Sequence, residues 1–561
     1  MPAGHGLGGR RRIPEAPRVP DAAPPPAWRH DRRQGTRGPQ VARRRQRRRR
    51  ARRLDRESAR RRRHPWERHG LLAVPHRVSR TTVAEVVVDG LKRAGTPRIF
   101  GVPSGGANLA LIEAARAGGL PLTLASGETA ACIMAAVTGD LVDAPGAVVI
   151  GPGPGVAAAV AGVVHGLLDR APVVLLTSGH PASVLACKET LGVEAESAAH
   201  RIAHAARLAM AEPRGPVHLD VAADVVTRPA VPVATSCRPD PLPYPDAVAL
   251  DAAARALSSA SRPLLLAGLH CRSAGAAQWL RAVAEALPAP LLTTARAKGT
   301  LPDPHPLMLG VLGTAGVDER LLRRADLMVG IGLDALEPVP AACWSSAPVL
   351  GIGPPQALDD WMPAVQVLGD IGAVIEELAQ RLRDKPRADW DVAELDRLRR
   401  EGAARSIGDG LAARVVRLAR EATPAGTIAT VDAGPHHAGV AAGWQAIAPR
   451  EFLTSNGLAT AGFALPAAIA AHLVHPDRRI VCFTGAAGLT VAATELETAA
   501  RLAAPIVVVV FNDTSTGASN SMKLAQSFGV AAFAADSESR FSELLGRALR
   551  AGGPALVGVW P

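Results

Sequence analysis

From Val83 onward the chain alternates between short, continuous apolar runs and longer stretches whose apolar residues recur at helical spacing. A strand covered by helices on both faces has no side that meets water, so it reads as an unbroken apolar run and not as an alternating one. Arg98–Phe100, Leu122–Leu124, Ala147–Ile150, Val173–Leu176 and Val217–Asp220 have that character. So do Pro263–Ala267, Leu327–Ile331 and Val349–Ile352, and then Thr427–Val431, Ile480–Thr484, Ile506–Phe511 and Ala555–Val559. The first helix is announced by Ser79-Arg80-Thr81-Thr82-Val83-Ala84-Glu85, a cap signal ahead of an apolar-periodic stretch that closes at Gly95. A Pro-rich segment at 228–246 and a charged helical stretch at 372–403 interrupt the alternation. The pattern predicts an α/β chain with three parallel-sheet units, at 79–228, 245–385 and 404–561. No short-period repeat is present.

Charge changes the picture only at the N-terminus. Of 561 residues, the first 80 hold 25 Arg, no Lys and 6 acids, a net of +19, whereas the whole chain is +13, so the body carries −6. Residues 1–78 lack hydrophobic periodicity, contain the run Arg43-Arg44-Arg45-Gln46-Arg47-Arg48-Arg49-Arg50 and are expected to be disordered. Guanidinium groups could neutralise phosphates there, but no aromatics are interleaved for base stacking. The favoured reading is upstream sequence translated from an Arg-codon-rich frame, with no nucleic-acid partner. Six cysteines are scattered singly, without a CxxC pair or a His at metal-ligand spacing, as in a reducing compartment. The longest uncharged run, Gly146 to Val164, is cut by Gly151-Pro152-Gly153-Pro154-Gly155, which argues against a membrane helix. Together with the absence of a secretory signal, this predicts a cytoplasmic protein.

Candidate chemistry begins at Ser126-Gly127-Glu128-Thr129-Ala130-Ala131, where a lone carboxylate follows a strand and opens an Ala-rich helix. Taken alone, Glu128 is an acid favoured by the helix dipole. Gly151-Pro152-Gly153-Pro154-Gly155 then forms a tight turn between a strand and a helix, a corner suited to an anion or a ring. The pair, at this spacing, resembles the pyrimidine-binding domain of thiamine-diphosphate enzymes of the acetolactate-synthase type. Gly101-Val102-Pro103-Ser104-Gly105-Gly106, Gly162, Arg170–Thr177 and Arg214–Val221 match the same pattern. The resemblance continues through Gly332-Leu333-Asp334 to Thr430-Val431-Asp432-Ala433-Gly434-Pro435-His436, Ser455–Phe463, and Phe483-Thr484-Gly485-Ala486-Ala487-Gly488 followed by Phe511-Asn512-Asp513.

The resemblance implies a pyrimidine-binding, a central Rossmann-like and a diphosphate-binding domain. It implies thiamine diphosphate and Mg²⁺ as cofactors, a small 2-oxo acid as substrate, and a homodimer or tetramer with sites between subunits. Glu128 then corresponds to the glutamate that hydrogen-bonds the aminopyrimidine and so promotes loss of the thiazolium C2 proton, after which the cofactor serves as electron sink for decarboxylation. Gly153, Gly155, His436, Gly485 and Gly488 correspond to cofactor contacts, and Asn512 with the carbonyl of Thr514 to metal ligands. Asn512 lies 26 positions after Ala486, which keeps the family's spacing but not its carboxylate. Mg²⁺ requires hard oxygen ligands, so the metal site is expected to be degraded. Ala461 stands where a large apolar residue usually wedges the cofactor, and Ala487 replaces a glycine. Ala157 and Ala158 replace a polar pair, and the segments after Gly179 and Asn512 are short. The expectation is therefore a thiamine-diphosphate-dependent 2-oxo-acid decarboxylase or carboligase. Its alternative is a non-catalytic paralogue acting as a binding or regulatory subunit. Gly268, Gly330 and Gly332 raise FAD in the central unit, a less favoured option because no GxGxxG with its ribose-binding acid is present.

Overall fold

A computed structural model describes residues 81–560, apart from 103–104, 106, 180–185, 315–318, 346, 356–362, 383–387, 408–409 and 513–518. These residues belong to one compact unit, Ser79–Pro561. The Arg-rich arm, much of the glycine motif at 101–106 and Thr514 lie outside the described residues.

Eighteen strands form three six-stranded sheets in which every strand pair is parallel. The first contains β1 Ile99–Gly101, β2 Leu122–Leu124, β3 Gly146–Val149, β4 Val173–Thr177, β5 Thr190–Gly192 and β6 Pro216–Asp220, in the order β2-β1-β3-β4-β6-β5. The central sheet contains β7 Pro263–Ala267, β8 Leu291–Thr293, β9 Met308–Val311, β10 Leu327–Ile331, β11 Val349–Gly353 and β12 Val365–Leu368, in the order β12-β11-β10-β7-β8-β9. The last contains β13 Ile428–Val431, β14 Phe452–Thr454, β15 Ile480–Gly485, β16 Ile506–Phe511, β17 Ala531–Ala535 and β18 Ala555–Val559, in the order β14-β13-β15-β16-β18-β17. The first and last sheets thus share one strand order. The expected strands are all present, and six more join them: β5, β8, β9, β12, β14 and β17. The cap signal folds as a capping box, with Thr82 Oγ1 accepting from the Glu85 amide and Glu85 accepting from the Thr82 amide. Among the described residues no helix is long and apolar enough to cross a membrane.

The helix Glu128–Val142 ties the sheets together. Every residue from Ala130 to Leu141 is buried, which requires partners on all sides. Helix Pro154–Leu168 covers one side and helix Ala464–Val474, from the last layer, another. Small side chains make this approach possible. A Cβ on Gly162 would stand 2.6 Å from the Cβ of Cys132 and 2.6 Å from the carbonyl oxygen of Thr129. At its far end the helix carries Asp140, which pairs with Arg272 at 2.5 Å, Arg296 at 3.6 Å and Arg450 at 3.8 Å. Burial alone pushes this carboxyl upward, yet the three arginines override it and hold it well below the usual range. Nearby, Arg296 pairs with Asp169, Arg170 with Asp334, and Arg214 with Asp143 and Glu212.

Gly162→Ala is expected to cost about 1–3 kcal/mol, because two helix backbones must separate to admit one methyl group. A lowered denaturant midpoint would show this; an unchanged midpoint would mean that the crossing has room to spare.

Candidate active site

The residues singled out by the sequence fall into two groups, both at the C-terminal ends of parallel strands, where ligands bind in open α/β sheets. The first group follows β2 and β3. After β2 the chain turns at Ser126 and Gly127, and the helix opens on Glu128. The amides of Ser126 and Gly127 both donate to Glu495 Oε1 at 3.1 Å, and Ser126 Oγ donates to the Thr494 carbonyl at 2.9 Å. The buried Glu495 thereby fixes from the last layer the two amides that lead into the helix. Burial pushes the Glu495 carboxyl up, against the pull of Thr498 and these amides. Glu128 itself is half-buried and makes no hydrogen bond among the described residues. A Cβ on Gly155 would lie 3.1 Å from Glu128 Oε1, so the carboxylate rests over a residue with no side chain. Gly153, at φ +72°, makes the turn into helix Pro154–Leu168 in a conformation that favours glycine.

The second group follows β13, β15 and β16. His436 is buried, stacks on Phe511 with ring centroids 5.1 Å apart, and has no hydrogen-bond partner at Nε2. Its ring lies 3.7 Å from where a Cβ on Gly485 would stand. A Cβ on Gly488 would sit 2.3 Å from Asp432 Oδ2, so this glycine makes room for a buried carboxylate. Asp432 accepts from Thr484 Oγ1 at 2.5 Å and from the Ala464 amide at 2.9 Å. Asn512 is buried, donates from Nδ2 to the carbonyls of Val510 and Val559, and accepts at Oδ1 from Ser521 Oγ at 3.0 Å. Ala486 opens the short helix after Gly485. Among the described residues no group of three or more His, Cys, Asp or Glu is placed to hold a metal ion.

His436, Gly485 and Gly488 are thus gathered around one pair of strand ends, and Glu128 with Gly155 around another. Within one chain the Glu128 turn meets the last layer at Thr494 and Glu495, not at His436 or Gly485. Comparison with known families places the chain as a whole. Residues 81–200 match the thiamine pyrophosphate enzyme N-terminal TPP binding domain, residues 250–378 the central domain, and residues 432–521 the C-terminal TPP binding domain. The chain belongs to the thiamine pyrophosphate enzyme family. Within that family it resembles acetolactate synthase large subunits. It is 27% identical to acetolactate synthase isozyme 1 large subunit of Escherichia coli, across 78% of this chain and 83% of that protein. Catabolic acetolactate synthase of Raoultella terrigena is also 27% identical, over 85% of this chain and 94% of that protein. A probable 2-ketoarginine decarboxylase of Pseudomonas aeruginosa is 28% identical, over 82% and 87%.

Several neighbours of the site escape a sequence reading of the family motifs. Ser521 lies in the segment after Asn512 that departs from the family pattern, on helix Ser519–Ser527. Glu495, two residues ahead of Glu497 in the first turn of a short helix, carries no motif that would single it out. The strand-end glycines of the central layer serve packing. A Cβ on Gly268 would lie 2.3 Å from the Leu333 Cα, and Asp334 is bound by Arg170 and His270.

Two buried groups of the last layer titrate in opposite senses. Burial lifts Asp432 to about 6, and burial, helped by His437, lowers His436 to about 4. Between about pH 4 and 6 the folded chain holds a proton on Asp432 that the unfolded chain releases, so this contribution to stability falls as pH rises. His436 does the reverse, since the unfolded chain there holds the proton. Asp432→Asn removes only the first effect. Stability is then expected to rise with pH over that window more steeply than in the parent, by about 1.4 kcal/mol per unit at most. Denaturant midpoints across the window test this, and parallel profiles for the two proteins would contradict it.

Proposed function

We propose that this chain is a thiamine-diphosphate-dependent 2-oxo-acid decarboxylase or carboligase. The observation that carries the proposal is Glu128: a carboxylate with no hydrogen-bond partner among the described residues, at the mouth of a buried apolar helix and held over a glycine. When bound, thiamine diphosphate supplies the carbanion chemistry that a 2-oxo acid needs to lose CO₂. Glu128 would hold and move a proton at a bound ring, and the apolar helix that it opens would limit water there. Gly153 and Gly155 let the backbone approach that ring. On the diphosphate side, the unpartnered Nε2 of buried His436 is a donor suited to a phosphate oxygen, with Gly485 and Gly488 shaping the turn beside it. The chain's residues therefore fit the organic cofactor. FAD has less support, because the central unit carries no GxGxxG with its ribose-binding acid and its strand-end glycines Gly268 and Gly332 pack against protein.

A homodimer follows from the same reading. Glu128 and His436 stand apart within one chain, so a site that uses both would join the first layer of one copy to the last layer of another. The residues at the metal position fit a divalent ion poorly. Ala486 offers no ligand, and Asn512 Oδ1 already accepts a hydroxyl. That observation also favours the second reading, a non-catalytic paralogue serving as a binding or regulatory subunit.

Glu128→Gln separates the two. If the chain is an enzyme, CO₂ release from a panel of small 2-oxo acids should fall at least about 100-fold while thiamine diphosphate affinity changes little. Parent protein that binds the cofactor but releases no CO₂ from any 2-oxo acid would favour the regulatory reading.

A further inference from the structure

We propose that the turn after β15 binds a diphosphate without a divalent cation, the ammonium of Lys523 taking the cation's place. The inference rests on the last layer being the diphosphate side of the site, and it begins from the poor fit to a metal. An Asn ligates through its carbonyl oxygen. Here that oxygen accepts from the Ser521 hydroxyl while the amide nitrogen donates to two backbone carbonyls, so an ion would have to share the oxygen with Ser521. With Ala at position 486, these two side chains offer an ion needing six oxygen ligands no carboxylate and only the one oxygen shared with Ser521.

Beside this turn lies a cavity of about 660 Å³, lined by Ala486, Ala487, Thr490, Ser521, Lys523 and Leu524, with Asn520 at its edge. Lys523 is the only charged residue in that lining, and it makes no hydrogen bond or ion pair among the described residues. It stands on helix Ser519–Ser527 and lines the same cavity as the two alanines. The charges balance. A carboxylate with a divalent cation presents a net +1 to a diphosphate, and an alanine with an ammonium presents the same +1. A lysine ammonium is a compact point charge with three donors, well suited to phosphate oxygens. Replacing the carboxylate by alanine also removes the acid that would otherwise pair with Lys523 and neutralise it.

The test is calorimetric titration of thiamine diphosphate into the full-length protein, once in excess chelator and once in Mg²⁺. Affinities in the two buffers are expected to agree within about threefold. Lys523→Met should weaken binding about tenfold or more in both buffers, as loss of a charge-assisted contact implies, and Lys523→Arg should retain most of it. The electron spin resonance spectrum of Mn²⁺ should show no protein-bound ion when the cofactor is added to the parent. The double variant Ala486→Asp, Ser521→Ala should gain both a bound-Mn²⁺ signal and Mg²⁺-dependent affinity. Binding by the parent only in Mg²⁺ would overturn the Lys523 inference and leave the cofactor reading standing. Cofactor affinity unchanged in Lys523→Met would also overturn it. Binding in neither buffer would remove the inference and the cofactor reading together.

Discussion

The placement of helix Glu128–Val142 is the constraint on which the rest of the structure depends. A helix buried along its whole length cannot be positioned by the contrast between a wet and a dry face, so its axial position must be fixed at its ends. Polar contacts do this at both. Glu495 receives the amides before the first turn, and three arginines from two other layers hold Asp140 near the last. An acid near a helix C-terminus is disfavoured by the dipole and, here, by burial. Its arginine partners reverse that balance, and removing them would leave a bare buried charge. Because Glu128 begins this helix, the position of the candidate proton carrier is set by residues on all three sheets.

Parallel sheets supply the second ingredient. Covered on both faces, they leave only their strand ends accessible, and the residues considered for chemistry sit on the loops leaving such ends or on the helices that follow them. Glycines in those loops divide by what they face. Gly155 and Gly485 border Glu128 and His436, the polar groups of the candidate site. Gly268 and Gly332 face protein, and bring two loops of the central layer into contact.

What could be read from the sequence follows the same physics. Interior strands such as β4, β10, β15 and β16 are buried along their length and announce themselves as unbroken apolar runs. The strands that did not are mostly at sheet edges. β12 and β17 are partly exposed, with Gln366 interrupting one and only alanines around Phe533 in the other, and β5 and β14 are three residues long. Motif spacing made Glu128, the glycine turn and Asn512 legible, because the family fixes them along the chain. The contacts that decide what Asn512 and Glu128 can do were not legible. Ser521 and Glu495 lie at no spacing that periodicity or capping rules would mark, and their partners are set by tertiary packing.

The common strand order of the first and last sheets has a bearing on how such a chain can change over time. Each sheet presents a glycine turn after its third strand, Gly151–Gly155 in one and Gly485–Gly488 in the other, and each turn leads into a helix. The helix at Ala486 forms without an acid, and its alanine still packs against the shared core. Foldability and chemistry are therefore inherited separately in this architecture: one turn can lose a ligand by a single substitution while its topological counterpart, and the scaffold between them, keep their shape.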